Sequence, residues 1–127
     1  MTTATLTASR ARPLAIALWV VQILCAAAFL AAATAKLTGQ PMMVDVFARL
    51  GLGQGFRYVT AIVEVIGGIG LLVPRFAGKA ALLLAATMLC AVLAHLTVLG
   101  GNPGPAIILL VLTGAIAWVR RRELVLG

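Results

Sequence analysis

The sequence predicts an all-α fold: an integral membrane bundle of four helices, with a short amphipathic interfacial helix between the first and second helices. Hydrophobic residues make up 63% of the 127 residues, whereas charged residues make up 10%. An average soluble chain is about 25% charged, so this chain needs lipid around its apolar surface. The apolar residues also form four runs separated by Gly, Pro and basic residues, which is typical of spanning helices.

The first span is predicted over residues 13–35, after a polar and basic tail over residues 1–12 that we expect to be disordered and cytoplasmic. A helix of that length covers the ~30 Å hydrocarbon core of a bilayer. The run also resembles a secretory signal peptide, because Arg12 precedes it and small residues close it. We expect no cleavage, because an h-region spans about 7–15 residues and this run is longer.

The segment between the first and second spans is too polar to cross a membrane. A glycine and then Pro41 end the first helix. Apolar residues recur at helical spacing from Pro41 to Leu50, while Asp45 and Arg49 form an i,i+4 pair on the other face. This pattern predicts an amphipathic helix that lies at the membrane interface or folds over the bundle.

Three further spans are predicted, over residues 58–73, 77–99 and 105–119. The connectors between them are short, so neighbouring helices must run antiparallel. Trp118 and the three arginines after it mark the exit of the last span, because aromatic and basic residues anchor helix ends at membrane surfaces. The transmembrane domain therefore covers residues 13–120, and residues 121–127 form a cytoplasmic tail.

The basic residues predict the orientation of the chain in a bacterial cytoplasmic membrane. With both termini in the cytoplasm, three basic residues lie outside: Lys36, Arg49 and Arg57. Seven then lie inside: Arg10, Arg12, Arg75, Lys79, Arg120, Arg121 and Arg122. Positive residues collect on the cytoplasmic side of membrane proteins, so this count favours four spans with both ends inside.

The candidate site centres on Glu64, the only carboxylate inside an apolar run. A charge at the bilayer centre costs roughly 2.5–3.5 kcal/mol on insertion scales, so such a residue is a functional-site hypothesis by default. The predicted topology brings Lys36, Glu64 and His95 from three helices into the outer leaflet. Together these three residues would form a small polar pocket. The interfacial helix and the turn after it carry further charged residues that could cover and line it: Asp45, Arg49 and Arg57. The competing interpretation is that the three core residues only lock the helices together.

Several site classes have no support in the sequence. The basic residues are dispersed between apolar runs, so we expect no nucleic-acid interface. Cys25 and Cys90 lie in separate spans without CxxC spacing, and we expect no metal site. No catalytic residues can be assigned, so we expect a protein that is not an enzyme on its own.

Several short motifs follow one another along the chain: Ala35 to Gly39, Phe47 to Leu52, Glu64 followed by Gly67, Gly68 and Gly70 to Arg75, and then Ala80, Ala81, Met88 and His95. In this order they resemble the DoxX-like family of small bacterial membrane proteins. The resemblance implies a four-helix fold in the cytoplasmic membrane. It also implies a link to redox metabolism, because relatives include a subunit associated with a thiosulfate to quinone oxidoreductase or terminal quinol oxidase and proteins linked to thiol redox defence.

Three functional hypotheses follow. The first is an accessory or ligand-binding membrane subunit, whose polar pocket binds a quinone-like ligand beside a redox-enzyme partner. The second is a structural or assembly subunit, in which the polar residues only hold helices in register. The third is a proton-coupled transporter of small molecules, which would have to be a homo-oligomer because four spans are few for a transport path.

Overall fold

The computed structural model describes the backbone of residues 3–126 and the side chains of residues 12–122 and 124. Within these residues all regular secondary structure is helical, short turns connect the helices, and there is no strand, so the all-α prediction is confirmed. The helices are α1 (Thr3–Leu37), α2 (Pro41–Leu50), α3 (Gln54–Leu71), α4 (Ala77–Ala94), a π-helical segment (His95–Leu99), α5 (Gly104–Val119) and α6 (Arg121–Leu126).

The four long helices pack in a closed order. Helix α1 packs against α3, α3 against α4, and α4 against α5, and α5 returns to contact α1. Helix α2 contacts α3, the π-helical segment and α1, so it lies across the end where α1 finishes and α3 begins. The core between these helices contains Phe29, Leu71, Leu84 and Ile116.

Small residues set how closely the helices approach. An added Cβ at Gly67 would lie 2.5 Å from Cδ2 of Leu84, and one at Gly70 would lie 2.7 Å from Cβ of Ala80. Neither distance is tolerable for carbon atoms, so α3 and α4 can touch only because these positions are glycine. Close approach at small residues is a common packing mode of strongly apolar helices.

Helix α1 is longer than the predicted span. It begins at Thr3, so the described part of the predicted tail over residues 1–12 is helical and continuous with the apolar run. Pro13 lies inside this helix. Its ring removes one backbone hydrogen bond, but alanine and arginine around it favour the helix and no glycine interrupts it. At the other end, most of the predicted tail 121–127 forms α6; Met1, Thr2, Gly127 and the side chain of Arg10 lie outside the described residues.

Helices α2 and α5 follow their sequence signals closely, whereas α3 starts four residues before the predicted span over residues 58–73 and ends two residues before it. Helix α2 has the bounds that its amphipathic pattern predicted, and Gly51 ends it in the left-handed conformation that glycine tolerates. The amide of Gly104 donates to Oδ1 of Asn102 at 2.9 Å, which satisfies a backbone donor at the start of α5. The third predicted span, over residues 77–99, keeps its bounds, but its last residues, His95–Leu99, are π-helical.

Two of the helical stretches are long and apolar enough to cross a membrane, by length and composition. They are Arg12–Leu37 and Ala77–Leu99. Gly104–Val119 is a shorter apolar helix. Large apolar side chains are exposed around the outside of the packed helices, for example Leu24, Ile62, Leu93 and Val111.

Candidate functional site

A buried ion pair joins α1 to α3. The Nζ atom of Lys36 lies 2.9 Å from Oε1 and 3.1 Å from Oε2 of Glu64. The exposed fraction of the side chain is 12% for Lys36 and 2% for Glu64. Because both carboxylate oxygens bind the same ammonium group, neither charge is left unpaired in the apolar interior.

The local sequence explains how the two residues meet. Lys36 lies in the last turn of α1, where a cation also interacts favourably with the helix dipole. Glu64 lies in α3, flanked by valines and followed by the glycines that contact neighbouring helices. Gly68 of α3 faces Leu30 and the backbone of Ala26 in α1. This close contact fixes the register of α3 against α1.

Arg57 completes this polar group. Its side chain is buried, and Nη1 donates a hydrogen bond to the carbonyl oxygen of Lys36. Its Nε donates to Oε1 of Gln54 at 2.9 Å, and Nη2 donates to the hydroxyl of Tyr58 at 3.3 Å. Lys36 is therefore held twice, through its ammonium by Glu64 and through its backbone by Arg57. We call Lys36, Arg57 and Glu64 the α1–α3 ionic cluster.

Helix α2 lies next to the ionic cluster but contributes no charge to it. Asp45 and Arg49 pair with each other at 3.2 Å, with both side chains exposed. Nη1 of Arg49 lies 3.5 Å from the carbonyl oxygen of Leu99, which ties α2 weakly to the π-helical segment. The ring of buried Phe47 instead packs edge to face against the partly exposed ring of Phe56, with 5.9 Å between the ring centres.

His95 stands apart from the ionic cluster. It is the first residue of the π-helical segment, and its Nδ1 lies 2.8 Å from the carbonyl oxygen of Ala91 in its own helix. Among the described residues, no hydrogen bond or ion pair joins it to Lys36 or Glu64. The structure thus brings together three of the six predicted site residues, Lys36, Glu64 and Arg57, whereas Asp45, Arg49 and His95 have other partners.

A second polar group, at the opposite end of the helices, was missed by the sequence analysis. The side chain of Gln22 is fully buried; its Nε2 donates to the carbonyl oxygen of Leu71 at 2.8 Å, and its Oε1 accepts from Nε of Arg120 at 2.8 Å. The guanidinium of Arg120 also lies 5.5 Å from the ring centre of Trp19. One amide thus links α1, the end of α3 and the end of α5. The clue in the sequence was an amide inside an otherwise apolar run.

The remaining candidate chemistry is limited. Both cysteines are free thiols, Cys25 buried and Cys90 exposed. Across the described residues, no three His, Cys, Asp or Glu side chains gather in a way that could hold a metal ion. The arrangement can therefore pair charges and bind hydrogen-bonding groups, and it offers no assembled nucleophile or metal centre in that part of the chain.

Comparison with known proteins agrees with the resemblance noted from the motifs. The model of the DoxX-like family matches residues 20–120, a stretch that includes both polar groups, the second half of α1 and the whole of α3, α4 and α5. Searches among curated proteins and among solved structures found no match. Since the family match covers most of the sequence, the chain belongs to the DoxX-like family.

Proposed function

We propose that this protein is a four-span protein of the bacterial cytoplasmic membrane, an accessory subunit that binds a small amphipathic ligand such as a quinone beside a membrane redox enzyme. The observation that carries this proposal is the buried pair of Lys36 and Glu64 between two apolar helices. Ionisable residues at such positions are expensive, and they commonly mark sites of ligand or proton handling.

The membrane assignment rests on the exposed surface of the packed helices. Ile62, Leu93 and Val111 are exposed on three different helices, so the apolar surface surrounds the helices and lipid would cover it. The excess of basic residues at one end favours both termini in the cytoplasm. A fluorescent protein fused to the C-terminus should fold and fluoresce in bacterial cells, whereas a C-terminal alkaline phosphatase fusion should be inactive. The reverse pattern contradicts the orientation.

The ligand proposal rests on the hydrogen-bonding capacity of Lys36. An ammonium group has three N–H donors, and two of them bind the carboxylate of Glu64. Among the described residues, no acceptor engages the third donor. A quinone carbonyl is an acceptor of the right kind, and its ring and tail would favour the apolar surroundings.

The structural hypothesis also has a specific observation in its favour. Both oxygens of Glu64 and the backbone carbonyl of Lys36 are already occupied by partners within the protein. A closed arrangement of this kind would hold α1 and α3 in register without any ligand. The two hypotheses therefore differ in whether an added acceptor changes the stability of the protein.

Thermal unfolding in detergent, with and without a short-chain ubiquinone, separates the two functions. We expect quinone to raise the melting temperature of the wild type, Lys36→Met to abolish that rise, and Arg49→Gln, a matched change in an exposed ion pair, to keep it. A wild type that melts at the same temperature with and without quinone rules out the ligand proposal. Destabilisation by Lys36→Met alone would then support the structural hypothesis.

A further inference from the structure

An open groove runs along the contact between α3 and α4. Its volume is about 520 Å³, and its walls are almost entirely apolar. Gly67, Gly70 and Ala80 form the line where the two helices touch, and Ile69, Val73 and Leu83 stand on either side. Because Gly67 and Gly70 carry no side chain, the two helices touch along the floor of the groove, and the larger residues beside that line form its walls.

The groove opens away from the α1–α3 ionic cluster. The rim residues Ile66 and Ile69 of α3 and Phe76 before α4 are exposed. Glu64, also in α3, is instead buried and paired with Lys36 of α1. A molecule in the groove would therefore touch neither Glu64 nor Lys36. This site is separate from the one on which the proposed function depends.

One end of the groove is cationic. Lys79 belongs to its lining, and Arg75 lies in the connector just before α4, with its guanidinium 5.6 Å from the ring centre of Phe76. Both side chains are exposed. An apolar groove with positive charge at one end matches an amphiphile that has an acyl chain and an anionic head group.

We infer that this groove binds one acyl chain of an anionic glycerophospholipid, with the lipid phosphate against Lys79 and Arg75. In the proposed orientation these residues lie at the cytoplasmic surface, so the lipid would come from the inner leaflet. A second copy of this chain fits less well. A two-fold contact along the groove would place Lys79 and Arg75 opposite their own copies, and like charges would repel.

Native mass spectrometry of the detergent-purified full chain can test this inference. The probes are phosphatidylglycerol and phosphatidylcholine with identical acyl chains. We expect the wild type to retain phosphatidylglycerol preferentially. Arg75→Gln and Lys79→Gln should each weaken that retention about fivefold, because one basic residue near a membrane surface contributes roughly that factor to anionic-lipid binding. Arg12→Gln, an exposed charge outside the groove, should leave it unchanged.

A second pair of variants tests the groove itself. Ile69→Trp would fill it, whereas Ile62→Trp places the same ring on the same helix outside it; the two isoleucines are exposed to nearly the same extent, 52% and 53%. We expect Ile69→Trp to lose the bound phosphatidylglycerol and Ile62→Trp to keep it, with both variants melting near the wild type.

Three results would overturn the inference. One is equal retention of the two lipids by the wild type, and another is retention unaffected by both glutamine variants. The third is a dimer of the wild type that Ile69→Trp dissociates, because a second copy would then occupy the groove. If Ile69→Trp fails to fold, the glutamine variants decide the question, since Arg75 and Lys79 are exposed.

Discussion

Arg57 donates a hydrogen bond to the backbone carbonyl oxygen of Lys36, at the point where α1 ends. The last carbonyls of a helix have no partner within it, and a cation near them also interacts favourably with the helix dipole. Arg57 therefore acts as a cap supplied by another helix. The same contact places its guanidinium beside Gly39, where an added Cβ would lie 3.4 Å from Nη1.

Replacing Arg57 by Leu should destabilise the protein. The change leaves the carbonyl of Lys36 without this donor, and hydrogen bonds to charged groups contribute about 1.5–3 kcal/mol each. Reversible unfolding in mixed micelles of dodecylmaltoside and SDS would measure the loss in the free energy of unfolding. Arg49→Leu is the matched control, because its pair with Asp45 is exposed and should be worth less than about 1 kcal/mol. Equal losses from the two variants would refute the capping role.

The ion pair should behave non-additively. Lys36→Met leaves the carboxylate of Glu64 buried without its partner, and Glu64→Leu strands the ammonium. Breaking one side of a buried pair costs about 3–5 kcal/mol, whereas replacing both sides by apolar groups is often close to neutral. We expect the double variant to unfold at higher SDS fraction than either single variant. A double variant with the summed losses of the two singles would show that the residues do not interact.

Much of the fold could be predicted from local sequence, because its determinants are local. Pro41, Gly51 and the amphipathic repeat between them fix the bounds of α2. The apolar runs predict where the long helices lie, although α1 and α3 begin before their runs. The meeting of Lys36 and Glu64 followed from antiparallel neighbours and residue depth. His95 was expected beside them by the same argument, but depth along a helix does not determine which face a residue occupies. Its partner proved to be the carbonyl of Ala91 in its own helix.

Gln22→Leu should destabilise the protein strongly, although it changes no charge. It would deprive the carbonyl of Leu71 of its donor and Arg120 of an acceptor, and an unsatisfied buried polar group costs about 1–3 kcal/mol. Gln22→Glu separates the two contacts, because a carboxylate can accept from Arg120 but cannot donate to Leu71. We expect its melting temperature to fall between those of wild type and Gln22→Leu. A leucine variant as stable as wild type would contradict this account.

Gln22 also illustrates why the second polar group could not be predicted. Its acceptor is a backbone oxygen, and every residue has one, so nothing in the sequence marks Leu71 as the partner. That carbonyl is available only because α3 ends there, and it faces Gln22 only through the register of α1 on α3. Both conditions depend on three-dimensional packing. The widening of α4 into a π-helical segment is likewise without a local sequence cause that we can identify.

Gly70→Ala should loosen the contact between α3 and α4. The new methyl group would meet the Cβ of Ala80, which is fixed to its backbone and cannot rotate away, and overpacking of this kind costs about 1–3 kcal/mol. Gly114→Ala is the matched control, since no atom lies within 4 Å of an added Cβ there. Its higher helix propensity should make it neutral or stabilising by up to about 1 kcal/mol. SDS unfolding curves that rank the two variants in the opposite order would refute the packing argument.

The ion pair has a consequence for the synthesis of the protein. Lys36 and Glu64 are 28 residues apart in the chain, so at about 5–20 residues per second the ammonium leaves the ribosome roughly 1–6 s before its partner. In the proposed topology, α1 must enter the membrane while Lys36 has no carboxylate to bind. Its place in the last turn of the helix makes this tolerable, because a long side chain near a helix end can hold its charge at the lipid–water boundary. The first helix can thus insert before α3 is synthesised, and Lys36 moves inward when Glu64 of α3 reaches it.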